Sequence, residues 1–502
     1  MKRRTFLGST ALPAVLATAG CVQQQPTSPG VTADSNPFQH GVASGDPTQE
    51  RVILWTRVSP ADASAAAPER AVSWWIGERE SGEQPAASGQ LSTSAERDFT
   101  VKVDAAGLTP GTRYFYGFEA DGWRSPVGRT RTAPSGSVSD LRFAVTSCAN
   151  HPQGYFNAYR AIADDDSLTA VFNLGDYLYE YANDTYGDGT ALGRVPAPDR
   201  EIVSLADYRT RHAQYKSDPD LQDAHAAHPW LVVWDDHESA NNAWAGGAEN
   251  HTEGTEGEWS VRKAAAVRAY YEWMPVREVP TGLYRTFRYG DLASIAMLDA
   301  RLVGRDEQGA GDDHDLANAT ERTLLGPIQE RDFLAHLSEE QAAGVRWKLV
   351  GQQVVFAPWT DGKAPFNPDS WDGYRASRQR VIDHIVDGQI SDVVILSGDV
   401  HSSWGMEVPA GDDNCALEFV APAVSSPALA TASPRARELF DNAAAIEHVR
   451  YADGDHNGYL FLHLNAERVR AEWRFTGARD VRSGETRLGG AVEGATGSNR
   501  LS

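Results

Sequence analysis

The rhythm of apolar and polar positions changes near residue 135. Before it, short alternating runs at 51–58, 71–76 and 99–103 predict strands separated by turns. A further strand is predicted where Leu108-Thr109-Pro110-Gly111 leads into Tyr114-Phe115-Tyr116. A Pro-Gly turn reverses the chain there, and alternating aromatics suit a half-buried pleated surface. After the change, apolar runs at 141–146, 170–174, 231–234, 293–298, 347–350, 392–396, 417–420, 458–464 and 468–475 alternate with helical patterns. Two of those patterns are 259–273 and 338–345, the second opened by a Ser338…Gln341 capping box. Strands alternating with helices predict α/β layers. Pro134-Ser135-Gly136-Ser137 marks the boundary. The expected organisation is an all-β sandwich over 37–135, an α/β unit over 136–480 and a flexible tail over 481–502.

The N-terminal sandwich resembles a fibronectin type III or immunoglobulin-like domain, with Tyr114 in the tyrosine-corner position. No cluster of catalytic groups falls in it, so its expected role is structural. Ahead of it, Lys2-Arg3-Arg4, then Phe6-Leu7 and an Ala-rich apolar run to Ala19, have the form of an export signal over 1–21. The arginine pair resembles a twin-arginine signal, departing from it at Lys2 and Gly8. Ala19-Gly20-Cys21 resembles the end of a lipoprotein signal, which would anchor the chain by a lipid on Cys21. The alternative is ordinary cleavage nearby, with Cys21 lost or free. Segment 22–36, rich in Gln, Pro, Ser and Thr, is expected to be a flexible linker. The implied destination is extracellular, periplasmic or the cell surface, reached through the twin-arginine machinery.

Composition narrows the function classes. The 502 residues are 41% hydrophobic and 23% charged, the balance of a globular chain, and a monomer is expected. A net charge of −23 argues against a nucleic-acid-binding surface. It would also repel a phosphate-bearing substrate, which then needs a local positive centre such as metal ions. Cys21, Cys148 and Cys415 are too scattered for a disulfide framework, and Cys415 is expected in the core.

Ligand-type residues follow five predicted strands. They are Ser147-Cys148, Gly175-Asp176-Tyr177-Leu178-Tyr179-Glu180, Asp235-Asp236-His237-Glu238, Asp299-Ala300-Arg301 and Gly398-Asp399-Val400-His401. The carboxyl ends of strands are where open α/β sheets form sites. Carboxylates gathered in one cleft repel one another unless cations lie between them, so the convergence itself implies metals. Oxygen donors suit Ca2+, Mg2+ or Mn2+, and a thiolate or phenolate suits a transition ion such as iron.

These blocks resemble a family. Gly175-Asp176-x-x-Tyr179, Asp236-His237-Glu238 and Gly398-Asp399-Val400-His401 are similar to the GDxxY, GNHE and GHxH blocks of calcineurin-like metallophosphoesterases and purple acid phosphatases. With Ser147-Cys148, Trp234-Asp235-Asp236-His237-Glu238 and the run from His40 to Pro47, the chain resembles the PhoD family of alkaline phosphatases and phosphodiesterases over roughly 38–480. The resemblance implies a metallophosphoesterase sandwich of mixed β-sheets flanked by helices. It implies hydrolysis of phosphate mono- or diesters by metal-bound hydroxide, releasing phosphate. Asp176 is then the carboxylate bridging two metals, Cys148 and Tyr179 are iron ligands, and Asp236, Asp399 and His401 complete the metal set. The implied metals are Fe3+ and Ca2+, with Mn2+, Mg2+ and Zn2+ left open. His237 is expected to protonate the leaving alkoxide or hold the phosphate, and Arg301 to grip phosphoryl oxygens with its fork.

Two other functions stay in view: a phospholipase D-type phosphodiesterase on the same fold, and a surface-binding protein with an inactive core. Blander roles stay open for single residues. Tyr177 competes with Tyr179. Asp235 and Glu238 fit supporting or salt-bridged groups, and Asp299 a partner of Arg301. Asn241 and Asn242 suit ligand orientation, calcium binding or a helix cap, and Gln352 and Gln353 suit the site or packing. His212, His225 and His228 are expected to be structural or surface groups.

Overall fold

The structure, a computed structural model, describes residues 36–60, 67–309, 313–359 and 367–502. The expected export signal, Cys21 and all but the last residue of the expected linker lie outside the described residues.

Two mixed sheets face each other. In the first, of nine strands, Asp140–Thr146, Ala170–Asn173 and Pro229–Val232 run parallel and adjacent. In the second, of seven, Ala293–Met297, Trp347–Gly351, Val393–Ser397 and Asp413–Val420 do the same. Phe172, Leu174 and Leu460 of the first sheet share one core with Ile295, Leu396 and Phe419 of the second. A further core lies between the second sheet and the helices Pro327–Ala342 and Arg375–Asp387, joining Val350 and Ile395 to Phe333, Leu337 and Ile382. Strands covered on both faces read as unbroken apolar runs, which is why the sequence marks them so clearly.

The helix expected at 259–273 forms as Trp259–Trp273. The capping box at Ser338 does not form. Its helix begins at Pro327, behind Gly326 at φ 73°, and Ser338 lies deep inside it. Proline suits a first helical position because the N–H it lacks would have no partner there. The Ser338 hydroxyl lies 2.9 Å from His384 Nε2 instead.

The N-terminal strands form two layers around Val52, Leu54, Val72, Ile76, Tyr114 and Phe118. One layer is a separate sheet built on Ala87–Thr93, Arg70–Gly77 and Arg113–Ala120. The other, Val42–Gly45, Arg51–Arg57 and Thr100–Ala106, belongs to the nine-stranded sheet, because Val42–Gly45 pairs in parallel with Pro229–Val232. The change of pattern near residue 135 is therefore not a break in hydrogen bonding. The Tyr114 hydroxyl accepts the Thr109 N–H at 2.9 Å.

The expected flexible tail is corrected by the structure. Thr486–Ala495 pairs along Arg468–Thr476 as the edge strand of the nine-stranded sheet. Its apolar pattern is faint because it is spaced by glycines. A Cβ at Gly489, Gly490 or Gly494 would collide with Phe475, Tyr451 or Leu417 respectively, so these positions receive large neighbours instead of presenting side chains.

Candidate metal centre

The carboxyl ends of both sheets meet at a cleft of about 360 Å³, lined in part by Asp176, Asp236, His237, Asp399 and His401. The loops that reach it turn sharply. Cys148 has φ 60°, Asp176 51°, Asp399 66° and His401 49°, all in the left-handed region. Each such residue costs on the order of 1 kcal/mol or more, strain that folds concentrate at functional sites. Gly175 (φ 103°) has a different reason. A Cβ there would lie 2.3 Å from Asp235 Cβ, so only glycine lets the two acidic loops close on each other.

Three overlapping donor groups result. A ligand atom from each of Cys148, Asp176 and His401 lies within 4.8 Å of the others. The same holds for Asp176, Asp236 and His237, and for Asp235, Asp236 and Asp399. Asp176 belongs at once to the group of the thiol and to the group of Asp236 and His237, the position a bridging ligand requires. The Tyr179 hydroxyl joins the thiol side, 3.0 Å from Asp176 Oδ2 and 3.0 Å from His401 Nε2. Tyr177 points elsewhere, its hydroxyl 3.0 Å from His225 Nε2.

Arg301 differs from expectation. Its side chain is fully buried, and its donors are turned to protein carboxylates rather than to the cleft. Nε donates to Asp235, Nη1 to Asp369 at 2.7 Å and Nη2 to Asp399 at 3.2 Å. Asp299 does not hold the guanidinium; its Oδ1 accepts the backbone N–H of Arg301 and Leu302. Arginine thus serves as a fixed cation beneath the site.

The electrostatics ask for more positive charge. Burial, reinforced by Asp235 and Asp236 against the pull of nearby cationic groups, pushes the Asp176 and Asp399 carboxyls well above their usual range. Burial and then the Asp176 charge raise the Cys148 thiol. Burial lifts Asp235 to about 7. Asp236 is lowered in spite of burial, by Arg301 and His237. Asp176 Oδ1 and Asp235 Oδ2 are buried with no hydrogen-bond partner, a costly state for a carboxylate. Cations between these groups would restore the ionised forms and satisfy the orphaned oxygens. The donors fit two kinds of ion. Thiolate, phenolate and imidazole suit a transition metal, and carboxylates alone suit a hard cation.

Around the donors lies a supporting layer. His237 Nδ1 lies 2.7 Å from Glu180 Oε2, while Glu180 Oε1 accepts the Asn241 N–H at 2.8 Å and Asn250 Nδ2 at 3.0 Å. Burial opposes a charge on His237, yet Glu180, Asp236 and Asp176 raise it well above its ordinary value. Glu238 accepts the N–H groups of Asp176, Tyr177 and Asp235, tying two loops together. Ser426 donates to the Tyr179 hydroxyl at 2.7 Å. Asn241 and Asn242 line the cleft, and the Asn242 N–H donates to Asp236 Oδ2 at 2.6 Å. Gln353 bonds to Trp234 and Leu298 carbonyls, bridging the ends of the two sheets, and Gln352 bonds to Ser397 and Trp371. His212, His225 and His228 are buried. Sequence reasoning missed Asp369, which stands at no predicted strand end, and Ser426, which lies six residues beyond the predicted strand 417–420. It also gave Glu180 no role, although its place directly after Tyr179 was a usable signal.

Comparison with known proteins gives the family. The model of the PhoD-like phosphatase family matches residues 143–473, and that of the PhoD-like phosphatase N-terminal domain matches 23–134. Alkaline phosphatase D of Bacillus subtilis (strain 168) is 36% identical over 461 residues, covering 88% of this chain and 78% of the relative. A solved structure of PhoD superposes with a TM-score of 0.85 at 34% identity, covering 93% of this chain and 92% of the other.

Proposed function

We propose that this chain, which belongs to the PhoD-like phosphatase family and is thus a phosphoric ester hydrolase, is an exported alkaline phosphatase or phosphodiesterase working with iron and calcium in the cleft between its two sheets. The observation that carries the reading is the buried to half-buried donor cluster in which Asp176 is common to the group of Cys148 and His401 and to the group of Asp236 and His237. Cys148, Asp176, Tyr179 and His401 would hold the iron, and Asp176, Asp236 and Asp399 the calcium. Bound there, such cations supply acidified water as nucleophile and neutralise charge on the phosphoryl oxygens.

The chain's own residues do the rest. Glu180 fixes the His237 ring through Nδ1, leaving Nε2 to serve the cleft that the ring lines. A protonated His237 gives its proton to the leaving alkoxide oxygen. Arg301 holds Asp235 and Asp399 in place from below. Glu238 and Ser426 keep the loops of Asp176 and Tyr179 in register.

The test is a parallel assay on a phosphate monoester, a simple diester and phosphatidylcholine, before and after chelation. Hydrolysis of a monoester or simple diester that chelation abolishes and calcium restores supports the reading. Turnover of phosphatidylcholine alone favours the phospholipase D-type alternative, and no turnover of any substrate overturns the assignment. Export rests on residues 1–21. Replacing Arg3 and Arg4 together by lysine should leave precursor inside the cell, and unimpeded export of that variant would contradict the twin-arginine route.

A further inference from the structure

Resting on that reading of the reaction, we propose that the cleft contains a leaving-group subsite for an aromatic or otherwise apolar ester substituent, formed by Tyr181, Tyr186, Trp359 and Leu429 beside His237. All four residues line the cleft, together with the carboxylates and histidines of the metal centre. The Tyr181 ring lies 5.4 Å from the His237 ring at 61°, and the Tyr186 ring 6.4 Å from it at 11°. The two tyrosine rings are 5.6 Å apart. The imidazole that delivers the proton is therefore flanked by aromatic surface. A departing oxygen must come within hydrogen-bond reach of that imidazole, so the carbon attached to it meets those rings.

The rings are held in advance. Tyr186 stacks on Tyr179 at 5.7 Å, and its hydroxyl lies 3.3 Å from His401 Nδ1. A preformed aromatic wall binds a flat or apolar group without the cost of ordering it. The described lining residues include no lysine or arginine. At about 360 Å³ the cleft is near the small end of ligand sites, with room for a phosphoryl group and one compact substituent.

Benzyl phosphate and glycerol phosphate test this, because their leaving alkoxides are of similar basicity and differ in apolar surface. In Tyr181→Ala the ratio of kcat/KM for benzyl phosphate to that for glycerol phosphate should fall on the order of tenfold, and Tyr181→Phe should restore it. A ratio unchanged in Tyr181→Ala would overturn the subsite while leaving the phosphatase reading intact. Hydrolysis of neither ester by the unaltered enzyme would overturn the subsite together with the monoesterase side of the reading, the diesterase side being decided by the simple diester. A measurement on the unaltered enzyme guards against a variant that fails to fold. Benzylphosphonate should inhibit about tenfold more tightly than methylphosphonate, and equal inhibition would also overturn the proposal.

Discussion

A buried thiol surrounded by carboxylates is a poor nucleophile and an unfavourable neighbour, because burial and the Asp176 charge both keep Cys148 protonated. As a metal ligand it would be deprotonated, and its left-handed backbone at φ 60° would then serve a purpose. Cys148→Ser should lose most of the iron and any visible charge-transfer absorption. Unchanged metal content and colour would remove Cys148 from the ligand set. Arg301 presents the converse case. It is the one expected site residue whose donors turn away from the cleft, and nothing in Asp299-Ala300-Arg301 reveals that its guanidinium is already occupied by Asp235, Asp369 and Asp399. Arg301→Gln strands those carboxylates, with a loss of about 3–5 kcal/mol by chemical denaturation expected. A loss below about 1 kcal/mol would show that the arginine is not their main counterion. Glu180 acts through His237. Glu180→Gln should lower kcat by about tenfold to a hundredfold with metal content unchanged, and wild-type kcat would contradict its positioning role.

At the scale of elements, the strand ends were legible because doubly covered strands leave unbroken apolar runs and their carboxyl ends carry unlike, chemically active residues. The start of Pro327–Ala342 and the edge strand Thr486–Ala495 were not. A helix start set by a glycine–proline pair competed with a plausible capping box further on, and glycines thinned the pattern of the strand. The partners of the site that come from irregular loops, Asp369 and Ser426, leave no periodic trace. One buried acid inside the second sheet gives a pH-dependent test. Glu418, on Asp413–Val420, accepts the Ser397 hydroxyl at 2.6 Å and the N–H groups of Phe356 and Ala357 at 2.8 and 2.6 Å. Burial pushes it up to about 7 from its ordinary 4.5. Its folded-state value is raised, so the stability it contributes is full below the unfolded value and is lost as pH rises through the folded one. Glu418→Gln does not titrate. The Tm advantage of the wild type over this variant should therefore shrink between about pH 5 and about pH 8. A constant or growing advantage would show that the carboxyl is ionised throughout.

For the whole molecule, the change of pattern near residue 135 does not divide the hydrogen-bonded sheet. Val42–Gly45 joins Pro229–Val232, and the loop after that second strand carries Asp235 and Asp236, so the N-terminal strands brace the strand that leads to the carboxylate side of the site. The Trp55 indole N–H also donates to the Glu272 carbonyl at 2.9 Å across that boundary. The two parts should unfold in one calorimetric transition; two separated transitions would show that they are energetically independent. The same architecture brings ligand loops from two facing sheets into one acidic cleft, and the central claim is that cations hold those loops together. Elemental analysis of the natively produced protein tests this most directly. The account predicts iron together with calcium in every active chain, with removal of both abolishing phosphoester hydrolysis. Full hydrolytic activity in protein that contains neither metal, nor any other divalent or trivalent ion, would contradict it.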